Sequence, residues 1–287
     1  ILGQAPISYF AKKWHWRQTN LYLAACGVIA ACLIYLIVRD RPANDDGQQQ
    51  KQEKIKTSPA TTHKLTTNKH WRRLQEVVRN QQNRWIGFYA GLSWASINLF
   101  AALWGIPYLM RYLHINAIAA GTLVASCWLG VAIGSPIIGL WSKHSKDRLW
   151  AMLFCILCGL VSSILILLPH FSAASMAILL FMLGLSAGGQ PISFDLIYDN
   201  NFKSVIGTAI GFNNMCVITG GLLLQPLAGF ILQWGIPQAH NIKEGYPLQH
   251  FQHALLIMPI CFAINGLFVI WKIKKPLRMH HKITPHT

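Results

Sequence analysis

Apolar and polar positions in this chain are segregated into whole segments rather than mixed within single helical turns. Six apolar stretches follow one another over approximately Trp85–Met110, Ala117–Ser142, Leu149–Leu168, Ala173–Ile197, Val205–Trp234 and Ala254–Trp271, divided by short polar joints. A seventh, Leu21–Val38, stands apart behind a longer polar stretch. A run of about 18 or more mainly apolar residues is long enough to cross a bilayer as a helix. Lipid offers the backbone no hydrogen-bonding partner, so each span must satisfy its own peptide groups as a helix. The pattern therefore predicts an all-α, polytopic membrane protein.

The flanks complete the plan. Ile1–Phe10 reads as the end of a membrane helix whose beginning is missing, so the chain is expected to be a fragment or a truncated product. Lys12–Arg17 is a short joint carrying Trp14 and Trp16, residues that anchor at membrane interfaces. The Leu21–Val38 stretch ends at Arg39-Asp40-Arg41-Pro42, a charged stop with a helix-terminating proline. Four regions follow: residues 1–42, a loop over 43–84, a six-helix bundle over 85–271 and a basic tail over 272–287. The first part of the loop is polar and low in complexity and is expected to be disordered. Its last part, 71–84, places Trp71, Leu74, Val77 and Val78 at helical spacing, which predicts a basic amphipathic helix on the membrane surface.

Composition and charge sharpen this picture. A mean hydropathy of +0.35 with 12% charged residues is too apolar for an ordinary soluble domain. The formal charge of +16 raises the question of a nucleic-acid partner, but its placement excludes one. Of the 25 Lys and Arg, 20 fall in alternate joints: Arg39 and Arg41 with the long loop, Lys143/Lys146/Arg148, Lys203 and the tail from Lys272. Cations gathered on one side of the spans mark the cytoplasmic face, which puts the loop and the C-terminus in the cytoplasm. The seven cysteines all lie inside apolar stretches, and Cys155/Cys158 form a CxxC without a second pair or a nearby histidine. No hydrolase, kinase, dinucleotide or metal constellation is present, so neither cofactor nor metal is expected.

Chemistry must then come from polar groups inside spans, where they are expensive and mark sites by default. Asn213 and Asn214 lie mid-span, either as pathway groups for a carboxylate or amine or as interhelical hydrogen bonds. Gln190-Pro191 follows Gly188-Gly189 and interrupts the Ala173–Ile197 stretch, as a binding-site break or a passive kink. Trp94 and Asn98 are four residues apart and share a helical face suited to a small amphipathic solute. Asp195, with Asp199 four residues later, is a candidate for proton coupling or a solvated partner of Lys203 or a joint cation. Arg111 is a gate candidate or a snorkelling interfacial cation. Small residues recur at four-residue spacing in Gly130/Gly134, Gly184/Gly188 and Gly207/Gly211, which permits close helix packing or rocking.

Several segments also resemble a known family. GQAPISYF…HWRQTNLYLAA…VRDRP (Gly3–Pro42) is similar to the end of the fifth helix, the external joint and the sixth helix of major facilitator superfamily transporters. LWGIPYLMRYLHINAIAAGTLVASCWLGVAIGSPIIGLWSKHSKDR (Leu103–Arg148) resembles their seventh and eighth helices. GTAIGFNNMCVITGGLLLQPLAGFIL (Gly207–Leu232) resembles the eleventh. Gly139 fits the leading glycine of the family's cytoplasmic signature Gly-x-x-x-Asp-Arg-x-Gly-Arg-Arg, but Lys143 stands where that signature has Asp. The resemblance implies the six-helix C-terminal bundle plus the last one to two helices of the N-terminal half. It implies secondary active transport of a small metabolite by alternating access, proton-coupled, with the N-terminal half and membrane lipid as partners. Bacterial inner-membrane importers of amino acids or related nutrients, the phagosomal nutrient transporter type among them, share the pattern. Efflux by the same fold is one alternative, and a non-transporting membrane scaffold or sensor is another. An intramembrane enzyme would need paired carboxylates, a histidine cluster or an activated serine in facing spans, and the sequence has none.

Overall fold

The computed structural model describes residues 5–37, 65–144, 148–234 and 246–272. The low-complexity part of the loop, Asp147 and the tail beyond Lys272 lie outside the described residues. Among the described residues all regular elements are helical, and seven helices are long and apolar enough to cross a membrane. The chain divides into two compact units at Arg72–Arg73.

The first unit holds α1 (Ala5–Ile37). The joint expected at Lys12–Arg17 narrows to one non-helical residue, His15, at φ 61° and ψ 149°. A positive φ is unusual for a residue with a Cβ, and here it turns the chain without a loop. Thr19 Oγ1 donates to the His15 carbonyl at 3.1 Å, which satisfies that carbonyl at the bend.

The second unit is a helical bundle. It is preceded by α2 (Leu65–Arg79), which starts earlier than the amphipathic pattern suggests and stops at Asn80. On its apolar face Val77 is buried in the bundle core, while Trp71 is exposed. Asn80 caps the next helix by accepting the Gln82 N–H at 3.0 Å.

The first bundle span runs through α3 (Gln81–Leu99), a π-helical turn (Phe100–Trp104) and α4 (Gly105–Leu113). Pro107 cannot donate to the Leu103 carbonyl and its ring crowds it, so the wider turn just upstream takes up the misfit. The remaining spans are α5 (Ala117–His144), α6 (Arg148–Leu167), the pair α7 (Ala173–Ala187) and α8 (Gln190–Asp199), α9 (Ile206–Gln233), and the pair α10 (Leu248–Leu255) and α11 (Ile257–Lys272). The last span therefore begins at Leu248, ahead of the Ala254 start of its apolar stretch.

Glycine sets the closest approach. A Cβ on Gly184 would run into the Cys127 carbonyl, and one on Gly130 into the Phe181 carbonyl, so α5 and α7 touch backbone to backbone. Gly134 and Gly188 continue that contact toward the break between α7 and α8, with a Cβ on Gly188 only 2.6 Å from the Gly134 carbonyl carbon. Gly207 and Gly211 share the same spacing but have nothing within 4 Å. The reason is rotational: α9 meets α3 through Cys216, Gly220 and Gly221 instead.

Side chains tie the helix ends. At one end Arg148 pairs with Asp199 at 2.7 Å, and the buried Asn83 amide joins α3 to the turn after α8. At the other end Tyr112 Oη donates to the Leu168 carbonyl at 2.8 Å and accepts the Phe171 N–H at 3.0 Å.

Candidate functional site

The centre of the bundle is built around the break between α7 and α8. Pro191 has no N–H, so the helical ladder lapses there. Gly188 and Gly189 fall back on shorter-range bonds, to the Leu185 carbonyl at 2.9 Å and the Ser186 carbonyl at 3.3 Å. Side chains then claim the carbonyls of the break. Tyr89 Oη, from α3, donates to the Gly189 carbonyl at 3.0 Å. Ser193 Oγ donates to the Gln190 carbonyl at 2.7 Å and accepts from Asn213 Nδ2, on α9, at 2.8 Å. On the other side of Tyr89, Asn265 Nδ2 of α11 donates to Ser93 Oγ at 2.9 Å and to the Tyr89 carbonyl at 3.3 Å. A polar seam thus runs α11–α3–break–α9 through an apolar interior.

Two acceptors on this seam are unsatisfied. Asn213 Oδ1 and Asn265 Oδ1 are buried with no hydrogen-bond partner. An unpaired amide oxygen in a low-dielectric interior costs about 1–3 kcal/mol. It also stands ready to accept an N–H or O–H donor.

The candidates from the sequence separate on this frame. Asn213 is fully buried against α8, whereas its neighbour Asn214 is exposed on the α9 surface. Gln190 is half-buried at the break, with Gly188 and Pro191 beside it. Trp94 and Asn98 are both half-buried, and Asn98 is drawn into a second joint. There Gln225 Nε2 of α9 donates to the Asn98 carbonyl at 2.9 Å, and Trp104 Nε1 reaches the Gln225 carbonyl at 3.4 Å. The Asn98 side chain also sits where a Cβ on Gly221 would fall, 2.7 Å from its Nδ2. Asp195 is exposed on α8, and the ion pair at that end is made by Asp199 with Arg148, not by Asp195 with Lys203. Arg111 is exposed in the last turn of α4. The break and Asn213 are therefore brought together, while Asn214, Asp195 and Arg111 are not part of that cluster.

Several residues of the seam carried little sequence signal. Asn265 is an amide in an apolar span and was open to the same argument as Asn213. Ser93 and Ser193 are small hydroxyls that many membrane helices bury against their own carbonyls. The π-helical turn has no composition of its own beyond the proline that follows it. Among the described residues, no group of three or more His, Cys, Asp or Glu gathers to hold a metal ion.

No curated protein matches this chain. The family model described as Major Facilitator Superfamily matches residues 1–224 and, in a second overlapping alignment, residues 86–286. Together the two alignments run from the first residue through the whole helical bundle, and seven apolar helices with a broken, glycine-packed interior agree with them. The chain belongs to the major facilitator superfamily, a family that moves small solutes across membranes.

Proposed function

We propose that the chain, together with a second helix bundle across the path, carries out secondary active uptake of a small metabolite, coupled to protons, by alternating access. The observation that carries this reading is the break between α7 and α8, whose carbonyls are held by side chains of α3 and α8 and, through Ser193, by α9. A tilt of α8 must exchange these bonds together. Asn213 Oδ1, unpaired and buried, becomes an acceptor for an amine or hydroxyl of the solute once α8 and α9 part. Asn214 and the open faces of Gly207 and Gly211 suit a second helix bundle across the path, because an exposed amide in a span calls for a partner. Gln190, Trp94 and Asn98 line the approach in this reading, Asp195 takes up the proton, and Arg111 gates the far end. The cation-rich end, with Lys272 and the tail, lies in the cytoplasm of a bacterial cell in the inner membrane. Amino acids and related nutrients, as in the phagosomal nutrient transporter type, are the solute class.

The test is uptake of a panel of labelled amino acids by cells expressing the chain together with such a second bundle, with and without a protonophore. The expected outcome is protonophore-sensitive uptake of a panel member that falls at least about ten-fold in Asn213→Ala, the size of losing one well-placed bond of about 1.4 kcal/mol. Asp195→Asn is expected to leave exchange intact while removing sensitivity to the proton gradient. Uptake indifferent to both substitutions overturns the assignment of these residues, and accumulation only in inverted vesicles reverses the direction to efflux.

A further inference from the structure

A cleft of about 440 Å³ opens where the start of α3 meets the end of α11, lined by Asn80, Gln81, Gln82, Trp85, Trp271 and Lys272. It takes no part in the transport reading above. Its volume falls within the range of small-molecule sites, about 300–1,000 Å³. The ammonium of Lys272 is the one charge among the described residues of its wall and lies 5.7 Å from the Trp85 ring centroid. Below it the wall turns aromatic. Tilted ring pairs, Trp85 with Phe268 at 5.3 Å and Phe88 with Phe268 at 4.6 Å between centroids, carry the seam between α3 and α11 from the cleft into the apolar depth of the span. Leu267, Trp271 and Phe88 beside this seam are exposed large apolar residues.

We propose that this cleft binds the phosphodiester headgroup of an anionic phospholipid, with the acyl chains lying down the α3/α11 seam. Three features select that ligand. Among the described residues the top of the site is cationic, with the Asn80 and Gln81 amides near Lys272 and no carboxylate in its lining. A basic pocket between membrane helices at the cation-rich face is the setting in which anionic headgroups are held. The face of the Trp85 ring toward the cleft is taken by Lys272, and no carboxylate lies among the described lining residues to pair with a choline or ethanolamine cation. The aromatic wall then separates a lipid from a free phosphate, since only a lipid has a chain to place there. Trp271 and Trp85 sit at the boundary between the two halves of the site, where an indole has both an apolar body and an N–H to offer.

The experiment is native mass spectrometry of the full chain in detergent, titrated separately with dioleoyl phosphatidylglycerol and dioleoyl phosphatidylcholine. Phosphatidylglycerol is expected to fill one saturable site in preference to phosphatidylcholine. Lys272→Gln, at an exposed position, is expected to lower that affinity about five-fold, the effect of one cation at a membrane surface. Arg111→Gln, on the opposite end, is expected to leave it unchanged. An equal loss in Arg111→Gln would show diffuse charge attraction and overturn the site. Displacement of the bound lipid by millimolar inorganic phosphate would overturn the lipid assignment in favour of a soluble anion, and absence of any preference between the two lipids would overturn the proposal outright.

Discussion

Tyr89 and Gly189 form a contact whose energetics can be worked out and tested as a pair. Gly189 has φ −74° and ψ −16°, a region any residue adopts, so alanine there carries no backbone penalty. Its cost is steric. A Cβ would fall 2.7 Å from Tyr89 Oη and 3.0 Å from both Cβ and Sγ of Cys155. Crowding of this size in a packed interior costs about 1–3 kcal/mol. Tyr89→Phe removes the hydroxyl that bonds the Gly189 carbonyl at 3.0 Å, and that carbonyl keeps the Ile192 N–H at 3.2 Å. Loss of one such bond inside a membrane protein costs about 1 kcal/mol. In the double variant the phenylalanine has no oxygen for the new Cβ to strike, and only the Cys155 contact remains. The double variant is therefore expected to be more stable than the sum of the two single changes by about 1 kcal/mol, a coupling well above the additivity limit for separated sites. Equilibrium unfolding in mixed micelles by titration with a denaturing detergent measures all four corners of the cycle. Additivity within about 0.5 kcal/mol would refute the claim that Tyr89 and the break form one unit.

Two further outcomes follow from the packing. Gly184→Ala must push α5 away from α7, because the obstacle is the Cys127 backbone carbonyl, which cannot swing aside; a loss of about 2–3 kcal/mol is expected, whereas Gly211→Ala, with nothing within 4 Å, is expected to be neutral or to gain up to about 1 kcal/mol from helix propensity. Melting curves of both variants by size-exclusion chromatography after heating check the contrast, and equal behaviour would sink it. Asn83→Ala removes an amide that donates to the Val77 carbonyl at 3.1 Å and to Asn201 Oδ1 at 2.9 Å, and that accepts from Asn200 and Asn201, each at 2.8 Å. It is expected to cost about 2–3 kcal/mol and to raise hydrogen exchange selectively at residues 197–205. Unchanged exchange there would show that the asparagine cluster does not hold that turn.

The seven spans and the family were legible in the sequence, because crossing a bilayer is a property of each segment alone. Lipid demands a long apolar helix whatever its neighbours are, and runs such as Ala117–Ser142 and Val205–Trp234 announce themselves by length. The Gly188-Gly189-Gln190-Pro191 break was legible for a similar reason, since a missing N–H acts locally. The polar face of the last span was less so: Leu248–Phe251 reads LQHF, too polar for the apolar stretch, yet it continues the helix outward.

What only the tertiary structure decided was which way each residue faces and what it meets. Asn213 and Asn214 are adjacent in sequence and about 100° apart around a helix of about 3.6 residues per turn. Packing of α9 against α3 and α8 buried the first and left the second exposed. Gly130/Gly134 and Gly207/Gly211 have identical spacing, but only the first pair has another helix backbone in contact. Asn83, Asn200 and Asn201 sit in polar joints, where one asparagine looks like the next until folding brings residues more than a hundred positions apart within 2.9 Å. Hydropathy is a sum over one segment and can be read from it. Facing, contact and satisfaction of a buried polar atom are relations between segments, and they exist only once the helices have been packed.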